Sequence, residues 1–373
     1  MNGVSLRSES DADFCILGNP ENRRVRDFQA AAEAMGLGRP PCLSWRDLLD
    51  APQAVLPRLC AARWVRLDSP GENDDVAHRL IRLGGGRGRL GFGEIGFLRE
   101  QHQGFRRLLD RLSALGAAFP NSPADIRVMF DKWSSHERFT AAGVPRPAAS
   151  LAPASLAAFR AFRGTFCTAT AGRVFLKPRY ASSASGVCAY RWSGDREQLI
   201  APIQIRRERA TVRLYNSLRV RRYTAFEDVD AILGQLLPQG MICERWIRKA
   251  QLPHGQFDLR VLVIAGEARH IVVRQSHSPM TNLHLGNRRG DLNEVEDLFG
   301  AAVVERCRRI AEQAAACFPD SLYAGVDVLV PARGEPLICE INAFGDLLPN
   351  VKHRGESTYE AILRASHVCG SAV

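Results

Sequence analysis

Lysine is almost missing from this sequence. Of the fifty lysines and arginines in 373 residues only four are lysine, namely Lys132, Lys177, Lys249 and Lys352. Arginine is the default cation. Each remaining lysine marks a place where a compact ammonium on a flexible stem can do what a planar guanidinium cannot, such as meeting a phosphate as a point charge; chance survival is the plain alternative for each. No apolar run reaches the roughly 18 residues that a membrane span needs. The first residues, MNGVSLRSESDADF, show no basic stretch leading into an apolar one, so no secretory signal is expected. The ten cysteines include no C-x-x-C pair. Cys15, Cys188, Cys243 and Cys339 lie in apolar runs, which reads as reduced, buried thiols in a cytoplasmic protein. What is present is ordinary for a folded chain of two or three domains: 46% hydrophobic and 24% charged residues. A net charge of +10 permits an acidic or nucleic-acid partner and does not require one.

Acidic residues gather where sheet packing does not ask for them. In YAGVDVLVPARGEPLICEINAFGDLLPNV, residues 323 to 351, Val326, Val328 and Val330 alternate with Asp327 and Leu329. Turn residues follow from Pro331 to Pro336, and then Leu337, Cys339 and Ile341 alternate with Ile338, Glu340 and Asn342. That pattern predicts a hairpin. Symmetric pairing about Arg333-Gly334 puts Asp327 opposite Glu340, with Asn342 on the same face. Like charges opposed across strands repel unless a cation lies between them, and hard oxygen ligands suit Mg²⁺. A half-solvated hairpin whose outer face merely carries acids is the other reading of this stretch.

Residues 13 to 120 predict a small α/β unit with strands at Phe14–Leu17, Pro41–Leu43 and Trp64–Leu67 and an amphipathic helix through Leu37. Gly91, Gly93 and Gly96 match G-x-G-x-x-G, but no strand leads into them, so we expect a loop before a helix over 94 to 115. Arg87 and Arg89 in that loop are candidates to contact an anionic substrate. Ser122-Pro123 starts a helix, and Asp131-Lys132 leads into a second one ending at Ala142-Gly143. A strand at 173 to 176 runs into Lys177-Pro178. Ala181 to Gly186 then form a loop of small residues whose backbone N–H groups can approach a phosphate. The run IRRERATVRLYNSLRVRRY predicts a basic hairpin turning at Asn216-Ser217, either a grip for RNA or an acidic peptide or simply a solvated surface. Short strands follow at 241 to 247, with Glu244, and at 257 to 266, with Asp258 and Arg260 on one face. Arg274 lies on the next strand. A polar loop holding Asn282 and a helix over 292 to 318 complete the order.

In that order these pieces resemble the ATP-grasp superfamily, over about 121 to 351. Asp131-Lys132 with the Ala-Gly-Val-Pro helix exit is similar to the first ATP lysine of D-alanine:D-alanine ligase, and Lys177-Pro178 with its serine-rich loop to the second. Glu244-Arg245-Trp246-Ile247 resembles the strand that takes adenine. Asp258-Leu259-Arg260, Arg274 and Asn282-Leu283-His284 resemble parts of the ligases that add glutamate to protein tails. Gly325-Val326-Asp327 with Glu340-Ile341-Asn342 resembles the superfamily's metal set. Two departures stand out: Ala181 and Ala184 replace the usual loop glycines, and Leu285-Gly286-Asn287 replaces a Gly-Gly.

The resemblance implies an α/β and α+β multidomain chain: a Rossmann-like pre-ATP-grasp domain over 1 to 120, a lid subdomain with the basic hairpin over 121 to 240, and a metal-bearing subdomain over 241 to 373. It implies ATP with Mg²⁺, or Mn²⁺, and a ligase that joins a carboxylate to an amine or similar nucleophile through an acyl phosphate, releasing ADP. Lys132, Lys177, Ser182, Ser183, Gly186, Glu244, Arg245, Trp246, Ile247 and Asp258 would bind the nucleotide, with Asp258 orienting Arg260 or bonding the ribose. Asp327, Glu340 and Asn342 would bind the metal, and Arg260, Arg274 and Asn282 would act in catalysis. The expected partners are anionic small-molecule or peptide substrates and a second copy of the chain, with no membrane. Two alternatives are a nucleotide-binding regulatory or RNA-associated protein that kept the fold without ligation, and a kinase.

Overall fold

The structure is a computed structural model that describes residues 14–209, 211–345 and 348–370, with side chains to Ser366 in the last helix. Three sheets organise it. The first is parallel, in the order β2-β1-β3, from β1 (Phe14–Gly18), β2 (Cys42–Ser44) and β3 (Trp64–Leu67). Every residue of β1 is buried, as an unbroken apolar run in a parallel strand requires. Helix α1 (Arg23–Ala34) joins β1 to β2, and α2 (Trp45–Asp50) and α3 (Pro52–Ala61) join β2 to β3. Next come α4 (Asp74–Leu83) and α5 (Leu98–Ser113). The glycine-rich stretch before α5 is a loop, as expected, and the helix after it starts at Leu98 rather than at residue 94. Ile95 N–H donates to the Leu214 carbonyl and Asn216 N–H to the Gly93 carbonyl, each at 2.8 Å, which ties the loop to the edge of the second sheet.

Two short helices follow, α6 (Pro123–Met129) and α7 (Lys132–Ala141). The second sheet is antiparallel, in the order β4-β9-β5-β6-β7-β8. It holds β4 (Ala149–Leu151), β5 (Ala171–Pro178), β6 (Cys188–Ser193), β7 (Arg196–Glu208), β8 (Thr211–Tyr223) and β9 (Met241–Arg245), packed against α8 (Leu156–Phe162) and α9 (Phe226–Leu236). This sheet runs to Arg245, past the boundary expected at 240. The basic hairpin does not turn at Asn216-Ser217. Glu208 pairs with Thr211 at the true turn, and Asn216 lies within β8 opposite Ile203. The ladder resumes with Ala201 opposite Arg221, so Ser217 to Val220 bulge out. Keeping Ile203, Leu214, Ala201 and Tyr223 in the core overrides the local turn preference.

The third sheet has the path β13-β12-β11-β14-β15 with β10 on β11. Its strands are β10 (Gln251–Leu252), β11 (Gly255–Ile264), β12 (Glu267–Ser276), β13 (Arg288–Gly290), β14 (Tyr323–Leu329) and β15 (Leu337–Asn342). Helices α10 (Leu292–Phe299) and α11 (Ala301–Ala316) cover one face. They replace the single helix expected over 292 to 318, because Gly300 adopts φ 80°, ψ 148° between them. Helix α12 (Thr358–Gly370) packs Tyr359 and Ile362 with Phe28 of α1 and Leu262 of β11. No helix among the described residues is long and apolar enough to cross a membrane.

The acidic hairpin is β14–β15, and Asp327 does pair with Glu340. The register then slips by one, so that Val328 faces Ile338 and Cys339 is the extra residue. Strict alternation would put Cys339 on the core side with Ile341. Instead Ile338 and Ile341 both enter the core, while Cys339 and Glu340 both line one cavity. Bulges re-aim side chains in this way beside functional sites.

Candidate active site

The cavity lies between the second and third sheets. Lys132 enters it from the first turn of α7, whose start is fixed by the Asp131 carboxylate accepting from the N–H groups of Trp133 and Ser134 at 3.1 and 3.4 Å. Its Nζ lies 2.8 Å from Glu340 Oε1 and also donates to the Ala181 carbonyl. Lys177, on β5, places its Nζ 2.6 Å from Glu244 Oε1 and 3.2 Å from Cys339 Sγ. Lys249 donates at 2.8 Å to both Asp258 Oδ2 and Thr281 Oγ1. Three of the four lysines therefore line one cavity. Lys352 is exposed and lies outside it.

Strand register sets the rest. Asp258 faces Arg274 across β11–β12, Arg260 faces Asp327 across β11–β14, and Asp327 faces Glu340. Arg274 Nε lies 2.7 Å from Asp258 Oδ1 and its NH1 3.2 Å from Asp327 Oδ1. Arg260 holds Asp327 through Nε and through NH2, the latter at 3.3 Å from Oδ2. Asp258 thus fixes Arg274 and Lys249, rather than Arg260 as the sequence suggested. The like-charged pair Asp327–Glu340 is tolerable because Arg260 and Arg274 sit on one member and Lys132 on the other.

These pairings keep the site ionised. Burial works to protonate Glu340, but Lys132, Lys177 and Arg260 hold its carboxyl below the usual range. Burial acts on Asp258 in the same sense and is outweighed by Arg274 and Lys249. Burial works to neutralise Lys177, yet Cys339, Glu244 and Glu340 together raise it above the ordinary lysine value. The Cys339 thiol is pushed up to about 11 by burial and is neutral at pH 7, so the carboxylates carry that stabilisation. Lys132, Lys177, Arg245, Lys249, Arg260 and Arg274 face only four carboxylates in the cavity wall. That surplus suits a polyphosphate.

The donor set fits a hard cation. Asp327 and Glu340 are register partners, and Asn342 gives its Nδ2 to the Gly325 carbonyl at 3.2 Å, leaving Oδ1 as a ligand atom. Among the described residues no three His, Cys, Asp or Glu gather to hold a metal, so the third ligand would be the amide. An oxygen-only set of this kind matches Mg²⁺.

Of the residues singled out from the sequence, Ser182, Ser183, Ile247 and Asn282 also line this cavity, which measures about 120 Å³. Asn282 turns its Oδ1 to the His284 N–H at 2.9 Å. Two of the expected residues do not line it. Trp246 packs its ring 5.0 Å from Phe175 and under Arg173. Gly186 shapes the loop instead: its φ is +69° and an added Cβ would meet Pro178 Cγ at 2.8 Å. Neither Arg87 nor Arg89 reaches this cavity or the larger one beside it. Lys249, Thr281 and Cys339 were not assigned roles from the sequence; the rarity of lysine was the signal for the first, and nothing local signalled the others. A second cavity of about 470 Å³ shares Lys132, Arg260, Arg274, Glu340 and Asn342 with the first and includes Gly345, Leu348 and Pro349. Asp346 and Leu347, between Gly345 and Leu348, lie outside the described residues.

No protein-family model and no curated protein sequence matches the chain. Solved structures do. The D-cycloserine synthetase DcsG aligns over 95% of this chain and 99% of its own at 15% identity, TM-score 0.60. A D-alanine–D-alanine ligase from Bacillus anthracis aligns over 96% and 99% at 11% identity, TM-score 0.55. The ATP-grasp ligase PsnB, complexed with a phosphomimetic variant of its minimal precursor, Mg and ADP, aligns over 96% and 98% at 16% identity, TM-score 0.50. The chain has the ATP-grasp fold, as its ordered motifs led us to expect.

Proposed function

We propose that this protein is an ATP-dependent ligase that joins a carboxylate to an amine or similar nucleophile through an acyl phosphate, releasing ADP and phosphate. The observation that carries the reading is the convergence of Lys132, Arg260 and Arg274 on the paired carboxylates Asp327 and Glu340, with Lys177 lining the same cavity on Glu244. Phosphoryl transfer needs charge neutralisation and alignment more than covalent help from the protein, and this wall supplies both. Lys132 and Lys177 would hold phosphate oxygens of ATP, while backbone groups of Arg245 to Ile247 would read the adenine edge and the Ala181–Gly186 loop would cover the phosphates. Mg²⁺ or Mn²⁺, held by Asp327, Glu340 and Asn342, would supply further neutralisation of the phosphate charge. Arg260 and Arg274 would stabilise the charge on the transferring group and then on the tetrahedral adduct. Asp258 keeps Arg274 and Lys249 in place.

The test is ADP release over a panel of carboxylates with hydroxylamine as a generic nucleophile and mass spectrometry of the products. A hydroxamate is expected from at least one carboxylate. ADP release with a phosphorylated product and no hydroxamate would identify a kinase. ATP binding without turnover in every mixture would favour the regulatory reading, to which Ala184 in the phosphate loop, at φ 60°, gives its one specific support.

A further inference from the structure

Lys132 stands at a helix start, where a cation is unfavourable. The first N–H groups of a helix are unpaired and carry partial positive charge, so that end favours acids. Helix α7 has no acid in its first turn. Asp131, at the capping position, is the acid that compensates, accepting from the N–H groups of Trp133 and Ser134 and from Ser134 Oγ at 2.9 Å. Burial works to protonate this carboxyl, but Arg179 and Ser134 hold it below the ordinary range, so it is charged at pH 7. The helix that delivers Lys132 to the cavity therefore brings a carboxylate with it, on the residue next to the ammonium that would meet ATP.

Arg179 meets both oxygens of that carboxylate. Its Nε lies 2.6 Å from Asp131 Oδ1 and its NH2 2.5 Å from Oδ2, a two-pronged pair. The Arg179 carbonyl accepts from the Lys132 N–H at 3.2 Å, and the Arg179 N–H donates to the Gly240 carbonyl at 3.0 Å. Arg179 directly follows β5, two residues after Lys177 and two before Ala181, whose carbonyl accepts from the Lys132 ammonium. Both cations assigned to the phosphates are thus carried by segments that meet at this one pair. Neither Arg179 nor Asp131 lines either cavity, so the pair lies behind the wall and acts through it.

We propose that Arg179 is a positioning residue for the nucleotide: it cancels the Asp131 charge behind the phosphate site, so that Asp131 can start the helix carrying Lys132 without repelling the phosphates. This deepens the ligase reading and rests on it for the identity of the ligand as ATP. A charge set in the protein acts over several ångströms here because the effective dielectric is well below that of water. A simpler role, fastening the end of β5 to α7, makes a different prediction. Arg179→Gln and Asp131→Asn break the same two bonds but leave opposite charges behind, and asparagine keeps the helix cap. Fastening makes the two variants alike; charge cancellation sets them apart.

Calorimetric titration of ADP with Mg²⁺ into the wild-type protein and three variants reads this without turnover. Arg179→Gln should weaken binding at least about tenfold. Asp131→Asn should leave it unchanged or tighten it, and the double variant should return to within about threefold of wild type. A cooperative thermal melt above the assay temperature shows that each variant is folded. Should Arg179→Gln melt below it, Asp131→Asn and the double variant decide alone, and weakening of more than about threefold in either overturns the proposal. Similar weakening by the two single variants, a double variant as weak as Arg179→Gln, or Arg179→Gln within about threefold of wild type also overturns it and leaves the ligase reading intact. No binding of ADP by the wild-type protein overturns both. If the variants order as expected while no carboxylate yields a hydroxamate, the ligase reading fails and the role of Arg179 stands.

Discussion

The floor of the cavity and the loop above it are built on opposite principles. The floor is four strands whose register places Arg274, Asp258, Arg260, Asp327 and Glu340 side by side in buried ion pairs. The loop from Ala181 to Gly186 has no charged side chain. Ser182 and Ser183 are exposed, and Ser183 and Ala184 sit at φ 55° and 60°. A buried pair holds its geometry because separating it leaves an unpaired charge in low dielectric. A loop of small residues in a strained conformation gives way easily. Under the proposed ligase reading, the floor would carry the chemistry and the loop would be the part that yields.

The largest effect should come from the floor and from Lys177, which lines the same cavity from β5. Lys177→Ala and Glu340→Gln should each lower ADP release about a thousandfold or more, on the scale of losing a transition-state contact. Lys177→Ala should also unfold more easily, since Glu244 loses its partner. Glu340→Gln at near wild-type rate would mean that the floor does not carry the chemistry, and Lys177→Ala at that rate would remove Lys177 from it.

Next in size, Asp258→Asn leaves Arg274 and Lys249 buried without a full counter-charge. We expect a loss of about 3–5 kcal/mol in urea unfolding, against well under 1 kcal/mol for Ser182→Ala in the loop. Comparable losses at the two positions would erase the distinction between them.

Acid should act on the floor too. Asp258 and Glu340 are held below their ordinary values of 3.8 and 4.5. As pH falls through those values the unfolded chain takes up protons first, so their stabilisation is whole above about pH 5 and is lost progressively below it. His102 and His136, each pushed down to about 4 chiefly by burial, act in the same direction from their ordinary 6.5 downward. Unfolding at pH 7, 5 and 3.5 should show falling stability, with a flatter decline from pH 5 to 3.5 in Asp258→Asn. A parallel decline would remove Asp258 as a source.

The smallest effect belongs to the loop. Ala184→Gly relieves a left-handed backbone that costs a residue with a side chain about 1 kcal/mol, so the thermal midpoint should rise by a degree or two. A fall would show that the loop's conformation is not strained.

How much of this was legible follows the same division. The opposition of Asp327 and Glu340 could be read because a hairpin centred on Arg333-Gly334 fixes it by counting. Cys339 could not, because the bulge that turns it into the cavity answers to Ile338 and Ile341 both seeking the core. Asn216-Ser217 carries a real turn signal, which the structure spends on a bulge inside β8. Lys249 was visible only as a rare residue type; its partners Asp258 and Thr281 lie 9 and 32 residues away. Arg179 looks like any basic residue after a strand until the fold sets it on Asp131, 48 residues away.

The central claim is that a carboxylate is activated on this floor by taking a phosphoryl group. Its most direct test is transfer of ¹⁸O from a doubly labelled carboxylate that supports ADP release. Through an acyl phosphate, the carboxylate oxygen bonds to phosphorus and leaves with it when the nucleophile attacks carbon, so each inorganic phosphate should carry one ¹⁸O. Inorganic phosphate without label, formed alongside the ligated product, would contradict the account.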